Sequence, residues 1–165
     1  MIRSCVALIA LVLAAPAYGQ EPVGCDKFKW PLDKERAMLA APEPIASGGE
    51  IAEPLKAALK ISLPPLANAK LPSPPSRAPK NANSYAGFVR AAAPPKAGTY
   101  RITLSHGAWI DVIQEGKEVK SAAFSGALGC EGVRKSVKFE LTAAPFIIEI
   151  SGMSANAIGV VVTPD

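Results

Sequence analysis

The residues best suited to hold a ligand are a tryptophan and an aspartate two positions apart. In the segment AWIDVIQ, Trp109, Asp111 and Ile113 alternate with two aliphatic residues. In a strand, successive side chains point to opposite faces, so these three would share the outer face. A tryptophan beside a carboxylate can hold a sugar or a peptide by stacking plus a hydrogen bond. In the alternative that we favour, Trp109 and Ile113 are buried beneath the proline-rich amino-terminal half, with Asp111 at the seam.

His106 is the one histidine of the chain, and we add it to Trp109 and Asp111 as a candidate ligand contact. It precedes a glycine at a predicted turn, where an exposed residue without chemistry is the simpler interpretation. A Ser-His-Asp hydrolase could nominally use Ser105, His106 and Asp111. However, the chain has no Gly-x-Ser-x-Gly elbow, and we expect neighbouring Ser and His side chains on a strand to point apart.

The sequence does not contain the residue sets that other catalytic, phosphate-binding or metal sites require. Glu115 and Glu118 flank a predicted hairpin turn, so we expect solvated side chains rather than the paired carboxylates of a glycosidase. The glycine-rich segment 125–129 lacks the Lys-Ser/Thr of a phosphate-binding loop. Zinc bound by Cys25 and Cys130 would need two further ligands, and none stands at a recognisable spacing. We therefore predict a binding protein without catalytic residues, metal or cofactor.

The first 19 residues have the three parts of a cleavable signal peptide. Arg3 gives a positive charge, residues 5–15 form an apolar run, and small residues precede the expected cut before Gln20. Pro16 ends the run too early for a transmembrane anchor, which needs about 20 apolar residues. We expect a mature protein that is periplasmic or secreted and has no membrane anchor.

Two cysteines, Cys25 and Cys130, remain after cleavage, whereas Cys5 leaves with the signal peptide. In an oxidising compartment we expect them to form a disulfide. The alternatives are two free thiols or a redox pair, although a redox pair usually has the Cys-x-x-Cys spacing. The disulfide would tie the amino-terminal segment to the carboxy-terminal half, with Phe28 and Trp30 docked nearby.

The charge of the chain argues against one class of partner. The 165 residues include 18 Lys+Arg and 14 Asp+Glu, and loss of Arg3 leaves the mature chain at about +3. The basic residues are scattered, whereas nucleic-acid-binding proteins cluster them on one face. We expect no nucleic-acid partner, which leaves an unidentified ligand or protein of the cell envelope.

Composition divides the chain into a signal peptide (1–19), a Pro/Ala-rich arm (20–83) and a strand-rich part (84–165). Eleven of the 16 prolines fall between positions 42 and 95, which disfavours long regular elements there. The predicted elements of the arm are a short helix that follows an Asp33 N-cap, one strand over 57–63, and an irregular surface connection over 66–83.

The strand-rich part alternates apolar and polar residues at a period of two, which is typical of strands with one buried face. Tyr100, Ile102 and Leu104 fall on one side of their segment, and Val137 and Phe139 do so in a later one. Turn signals separate about eight short strands, which indicates an all-β, antiparallel sandwich or barrel. The strands of this part are predicted over 84–91, 98–105, 108–114, 117–124, 134–141, 146–150 and 158–163.

Two resemblances add to this interpretation. The run AGTYRITL…AWIDVIQEGKEV…FELTAAPFIIEISG…AIGVVVTP resembles the small β-sandwich of bacterial pre-peptidase carboxy-terminal domains over roughly residues 84–163. In those domains a Gly-Thr-Tyr strand leads to an Asp-containing strand, and a later aromatic-aliphatic strand ends in glycine. The resemblance implies a jelly-roll-like β-sandwich that acts as an accessory or binding module.

The segment CDKFKWPL (25–32) behind a signal peptide is similar to a group of small exported proteins of alphaproteobacteria. Members of that group are often described as homogentisate 1,2-dioxygenases. That activity implies Fe(II) held by two histidines and a carboxylate, with open positions for oxygen and substrate. This chain has one histidine, so its residues disagree with that description.

Three functions follow as hypotheses. The one that we favour is an exported, non-enzymatic β-sandwich that binds a ligand or partner on a sheet face. The second is an enzyme, of which the dioxygenase is the named case. The third is a structural envelope protein with no small ligand.

Overall fold

Two β-sheets pack face to face in the computed structural model, which describes residues 21–165. The predicted signal peptide and Cys5 lie outside the described residues. The predicted all-β sandwich is confirmed, and one α-helix, α1 (Asp33–Leu39), precedes the strands. The strands are β1 (Glu43–Ala46), β2 (Glu50–Ile51), β3 (Leu59–Ser62), β4 (Tyr85–Ala91), β5 (Gly98–Leu104), β6 (Trp109–Gln114), β7 (Lys117–Glu118), β8 (Ser121–Gly126), β9 (Lys135–Leu141), β10 (Phe146–Met153) and β11 (Ala157–Pro164).

The six-stranded sheet has the order β1-β3-β11-β5-β9-β8, and the five-stranded sheet has the order β2-β4-β10-β6-β7. Neighbours are antiparallel as predicted, except that β1 runs parallel to β3 and β2 runs parallel to β4. Residues 21–165 form eleven strands rather than about eight, partly because the proline-rich arm supplies β1 and β2. Both are edge strands. An edge strand tolerates a proline such as Pro44 because its outer side pairs with no strand, so that a missing N–H on that side breaks no hydrogen bond.

The predicted strand over 117–124 is divided between the two sheets. Glu115 and Gly116 both have positive φ, 52° and 74°, as in the two-residue turns that join tight hairpins. This turn pairs β7 with β6 in the five-stranded sheet, whereas β8 pairs with β9 in the six-stranded sheet. The chain therefore crosses between the sheets near Lys120, a change that apolar alternation does not reveal.

The core fills the space between the two sheets. Tyr100, Ile102 and Leu104 are buried in it, as the alternation predicts, and they face residues of β6 and β10 such as Val112 and Ile148. Full burial of such a side chain stabilises the fold by about 1.5–3 kcal/mol. Because packing occupies the inner faces, a ligand site must lie on an outer face or at an edge.

The helix α1 covers the outer face of the six-stranded sheet. It begins at Asp33 itself, and Leu32 occupies the N-cap position without a side-chain cap, so the predicted Asp33 N-cap is wrong by one residue. Leu32 and Leu39 pack with Val161 of β11 in a second, smaller apolar cluster. No helix among residues 21–165 is long and apolar enough to cross a membrane.

A buried carboxylate fixes the helix on this sheet. Glu35 is 1% exposed, and its Oε1 accepts a hydrogen bond from Thr163 Oγ1 at 2.6 Å. The same oxygen lies 3.2 Å from the guanidinium of Arg101. These partners compensate the charge that burial would otherwise penalise, so the arm is packed on the sandwich by polar as well as apolar contacts.

The amino-terminal end of the arm is covalently tied to the sandwich. Cys25 and Cys130, which stand 105 positions apart in sequence, form the predicted disulfide. Trp30 docks beside it, donating from Nε1 to Ser136 Oγ at 3.1 Å, while the ammonium of Lys138 lies 4.5 Å from its ring centre. The arm thus covers the central strands β11, β5 and β9 on the outer face of the six-stranded sheet.

Candidate functional site

The outer face of the five-stranded sheet carries a polar cluster beneath a proline-rich cover. This cover is formed by residues 66–83, which we call the strap. It leaves β3 through the short 3₁₀ turn Leu66–Asn68 and leads into β4. Beyond that turn it has no regular structure and lies on the surface, as predicted.

Strand pairing brings two carboxylates together on this face. The register of β6 with β10 sets Glu149 opposite Asp111 and Ser151 opposite Trp109. Because the intervening residues of both strands point into the core, these four side chains project outward. Directly opposite residues have Cβ atoms about 4.5–5.5 Å apart, so the two carboxyl groups are near neighbours.

Asp111 holds the strap. Its Oδ2 accepts the backbone N–H of Ser76 at 3.1 Å, and its Oδ1 accepts the Ser76 hydroxyl. Trp109 Nε1 donates to Asp111 Oδ1 and lies equally near Ser76 Oγ, at 2.9 Å from each. Asp111 is only 7% exposed, so a buried charge is balanced by donors from both the sheet and the strap.

Glu149 is the second acceptor, and only one of its two carboxylate oxygens accepts a hydrogen bond from the described residues. Its Oε1 accepts the backbone N–H of Ser73 at 2.9 Å, whereas Oε2 has no hydrogen-bond partner among the described residues. Burial raises the pKa of Glu149, the charge of Asp111 acts in the same direction, and the Ser73 hydrogen bond opposes them. The hydroxyl of Ser151, on the same face, is likewise buried and without a partner in residues 21–165.

Two cations flank the half-buried ring of Trp109. The guanidinium of Arg77, from the strap, lies 5.2 Å from its ring centre, and the Lys135 ammonium lies 5.0 Å away. Burial lowers the pKa of Lys135, and the charges of Arg77 and Arg134 lower it further, while Asp111 opposes them. Asp111 thus lies buried at the seam beneath the strap and Ile113 is buried, whereas Trp109 is only half-buried rather than buried as the sequence favours.

His106 is not joined to this cluster by any hydrogen bond. It is exposed beyond the end of β5, where its Nδ1 lies 2.8 Å from Ser105 Oγ. The expectation that these neighbours point apart is wrong, because the pair follows the strand and strand alternation no longer applies. Ser105 Oγ also accepts the N–H of Gly159 at 2.8 Å. Asp111 is committed to the strap, so the described residues do not assemble a triad.

The iron centre implied by the dioxygenase resemblance does not fit these residues. Among residues 21–165, no three side chains of His, Cys, Asp or Glu are grouped as metal ligands. The one histidine contacts a serine, and Asp111 and Glu149 bind backbone N–H groups of the strap.

A concave surface of about 420 Å³ lies at the disulfide. It is lined by residues of the arm, including Phe28, Trp30 and Arg36, and by Cys130. The indole N–H of Trp30 is already bound to Ser136. We interpret this cleft as the seam along which the arm docks.

Sequence reasoning found Trp109 and Asp111 but missed their partners. Glu149 carries a signal in retrospect, since it is a single acidic residue within the apolar strand FIIEI. Ser73 and Ser76 stand in the pattern Pro-Ser-Pro-Pro-Ser, where they alone retain a backbone N–H. Other missed residues of the cluster are Arg77, Lys135 and Ser151.

We expect Glu149→Gln to stabilise the protein at neutral pH by about 1 kcal/mol, because it removes a buried charge and keeps an acceptor for Ser73. Since the pKa of Glu149 is raised on folding, the unfolded chain loses its proton first as pH increases. The native carboxyl therefore favours the fold at acid pH, and that contribution is lost as pH rises from near 4.5 through the higher native value.

The advantage of Glu149→Gln should accordingly be small at pH 4 and grow toward pH 7, as measured by urea unfolding at a series of pH values. The matched control is Glu118→Gln, a change of the same kind at an exposed position of β7, which should show no such trend. An advantage that does not vary with pH would contradict this account.

The face therefore combines two carboxylate acceptors with an aromatic ring and two cations, a set suited to hold the backbone of an extended chain. Comparison with protein-family models, with curated proteins and with solved structures finds no match to this chain.

Proposed function

We propose that this protein is an exported, non-enzymatic binding module whose ligand lies on the outer face of the five-stranded sheet. Trp109, Asp111 and Glu149 supply the contacts, and the strap is a cover that moves aside. The observation that carries the proposal is that the face already binds an irregular, proline-rich segment of the chain, the strap. The face uses carboxylate acceptors and an aromatic ring rather than apolar burial.

The contacts of the strap support a cover that can open. Of residues 66–83 only Ala69 is fully buried, whereas Ser76 and Arg77 are exposed despite their contacts with the face. A hydrogen bond to a charged group contributes about 1.5–3 kcal/mol, and an intervening water can replace it. Segments with few buried apolar contacts open at a lower free energy than the core does.

Export is the second part of the proposal. The signal peptide predicted over residues 1–19 directs the chain out of the cytoplasm, and the Cys25–Cys130 disulfide is compatible with an oxidising compartment. We place the mature protein in the periplasm or outside the cell, where its ligand is a component or protein of the envelope.

The test compares the parent with a variant in which residues 71–79 are replaced by a Gly/Ser linker of equal length. Both are titrated against a panel of glycans, peptidoglycan fragments and envelope peptides. We expect the strap-replaced variant to bind a member of the panel more tightly. Adding Trp109→Ala should then weaken that binding at least about tenfold, which corresponds to about 1.4 kcal/mol.

The matched control is Trp30→Ala, which removes the other tryptophan, in the arm that packs against the six-stranded sheet. It should leave binding unchanged. If neither the parent nor the strap-replaced variant binds any member of the panel, the binding function is wrong and a structural envelope protein becomes the better hypothesis.

A further inference from the structure

The chemical class of the ligand can be inferred from the segment that already occupies the face. Within Pro72–Ser76 the three prolines have no backbone N–H, so Ser73 and Ser76 are its only main-chain donors. Both are bound by the sheet, Ser73 by Glu149 at 2.9 Å and Ser76 by Asp111 at 3.1 Å. The face therefore satisfies every main-chain donor that this five-residue segment possesses.

The two donors stand three residues apart, and the chain bends at Ser73 and again at Ser76, on either side of Pro74 and Pro75. These bends accompany hydrogen bonds from both N–H groups to the same face. The two acceptors lie on neighbouring strands in direct register, Glu149 opposite Asp111. A segment without the central prolines would carry two more main-chain N–H groups, each needing a partner.

The residues that follow are contacted as well. Trp109 Nε1 lies 2.9 Å from the hydroxyl of Ser76, and the guanidinium of Arg77 stacks 5.2 Å from the ring centre. Cation–π contacts of this kind contribute about 0.5–2 kcal/mol. Recognition thus extends over a Ser-Pro-Pro-Ser-Arg sequence, with a fixed role for each serine and for the arginine.

The strap does not saturate the face beneath it. Glu149 Oε2 and Ser151 Oγ are buried and have no hydrogen-bond partner among the described residues, although both atoms belong to this face. Leaving a buried acceptor unpaired costs about 1–3 kcal/mol. A peptide that offers one more donor there would be held more tightly than the strap.

We propose that the outer face of the five-stranded sheet is a binding site for proline-rich peptides of the Ser-Pro-Pro-Ser-Arg type, and that the strap is a built-in competitor for it. The inference rests on the proposed binding function and names the ligand class. Because the strap is tethered, its effective concentration is about millimolar, so a free peptide binds weakly until the strap is displaced or altered.

The test uses a synthetic peptide with the sequence of residues 71–80, LPSPPSRAPK, titrated by fluorescence anisotropy into the mature protein. We expect the strap-replaced variant to bind it at least about tenfold more tightly than the parent does. A peptide in which both serines are proline, and a scrambled peptide of the same composition, should each lose about tenfold in affinity. Adding Asp111→Asn to the strap-replaced variant should reduce affinity for the original peptide.

A second variant keeps the test decisive if replacement of the whole strap disturbs folding. Ser76→Pro in the full chain removes the N–H and hydroxyl that Asp111 accepts, and it too should increase affinity for the added peptide. Equal binding of the original and scrambled peptides would overturn the inference. Binding of another panel member through Trp109, but not of this peptide, would overturn the ligand class and leave the binding function intact; no binding of any kind would overturn both.

Discussion

Replacing Cys25 and Cys130 together by alanine is expected to lower the free energy of unfolding by about 3–4 kcal/mol. The disulfide joins positions 105 apart, and the entropy of closing a loop of roughly 100 residues corresponds to about 4.7 kcal/mol. The stabilisation by a native disulfide is usually somewhat smaller than this value, because the unfolded chain is not a random coil. The loss should be measured by urea denaturation of the double variant.

The double variant should remain folded before that transition, because the arm has other anchors. The backbone of Gly24 and Leu128 is paired at 2.8 Å beside the disulfide, and α1 packs on β11. Reduction of the parent by dithiothreitol provides the control and should give the same midpoint as the double variant. A loss below about 1 kcal/mol would mean that the arm is held almost entirely by its non-covalent contacts.

The parts of the fold that sequence alone predicted are those set by local alternation. Tyr100, Ile102 and Leu104 face the core because every second residue of a strand points the same way. The same rule placed Trp109 and Asp111 on one face, since they are two positions apart. Both results need no knowledge of which strands are neighbours.

The parts that were not predicted depend on which strands become neighbours. Asp111 and Glu149 are adjacent only because β10 lies between β4 and β6, and no local pattern relates positions 38 apart. The parallel pairing of β1 with β3 also depends on which strands become neighbours. The same is true of the crossing of the chain between the sheets after β7. Which two strands pair depends on how favourably every possible pair of strands would interact. The alternation within one segment does not reveal this.

The strap lies between these two cases. Its prolines correctly indicated an irregular surface segment, because proline removes ladder donors and fixes φ. The prolines also lack a backbone N–H. Within Pro72–Ser76 they therefore leave Ser73 and Ser76 as the positions whose main-chain donors need an acceptor. What sequence could not predict was the acceptors, since Glu149, which accepts from Ser73, lies 76 positions beyond it in the chain.

Asp111→Ala is expected to lower the free energy of unfolding by about 2 kcal/mol and to release the strap. The change removes the acceptor of the Ser76 N–H, the Ser76 hydroxyl and the Trp109 indole N–H, and hydrogen bonds to a charged group contribute about 1.5–3 kcal/mol each. The net loss is smaller than their sum because the freed strap donors can reach water. Removing one of two neighbouring carboxylates also relieves the charge repulsion on Glu149.

Release of the strap separates this prediction from simple destabilisation. Trypsin should cleave the Asp111→Ala variant after Arg77 or Lys80 under conditions in which the parent is intact, and tryptophan fluorescence should shift to the red as Trp109 gains water. Glu140→Ala is the matched control, since it removes an exposed carboxylate that accepts from Thr99 at 2.6 Å, and it should change stability by less than about 0.5 kcal/mol. A variant as stable and as resistant to trypsin as the parent would show that Asp111 does not hold the strap. Cleavage with the core still folded would instead show that the cover opens independently of the sandwich, as binding on this face requires.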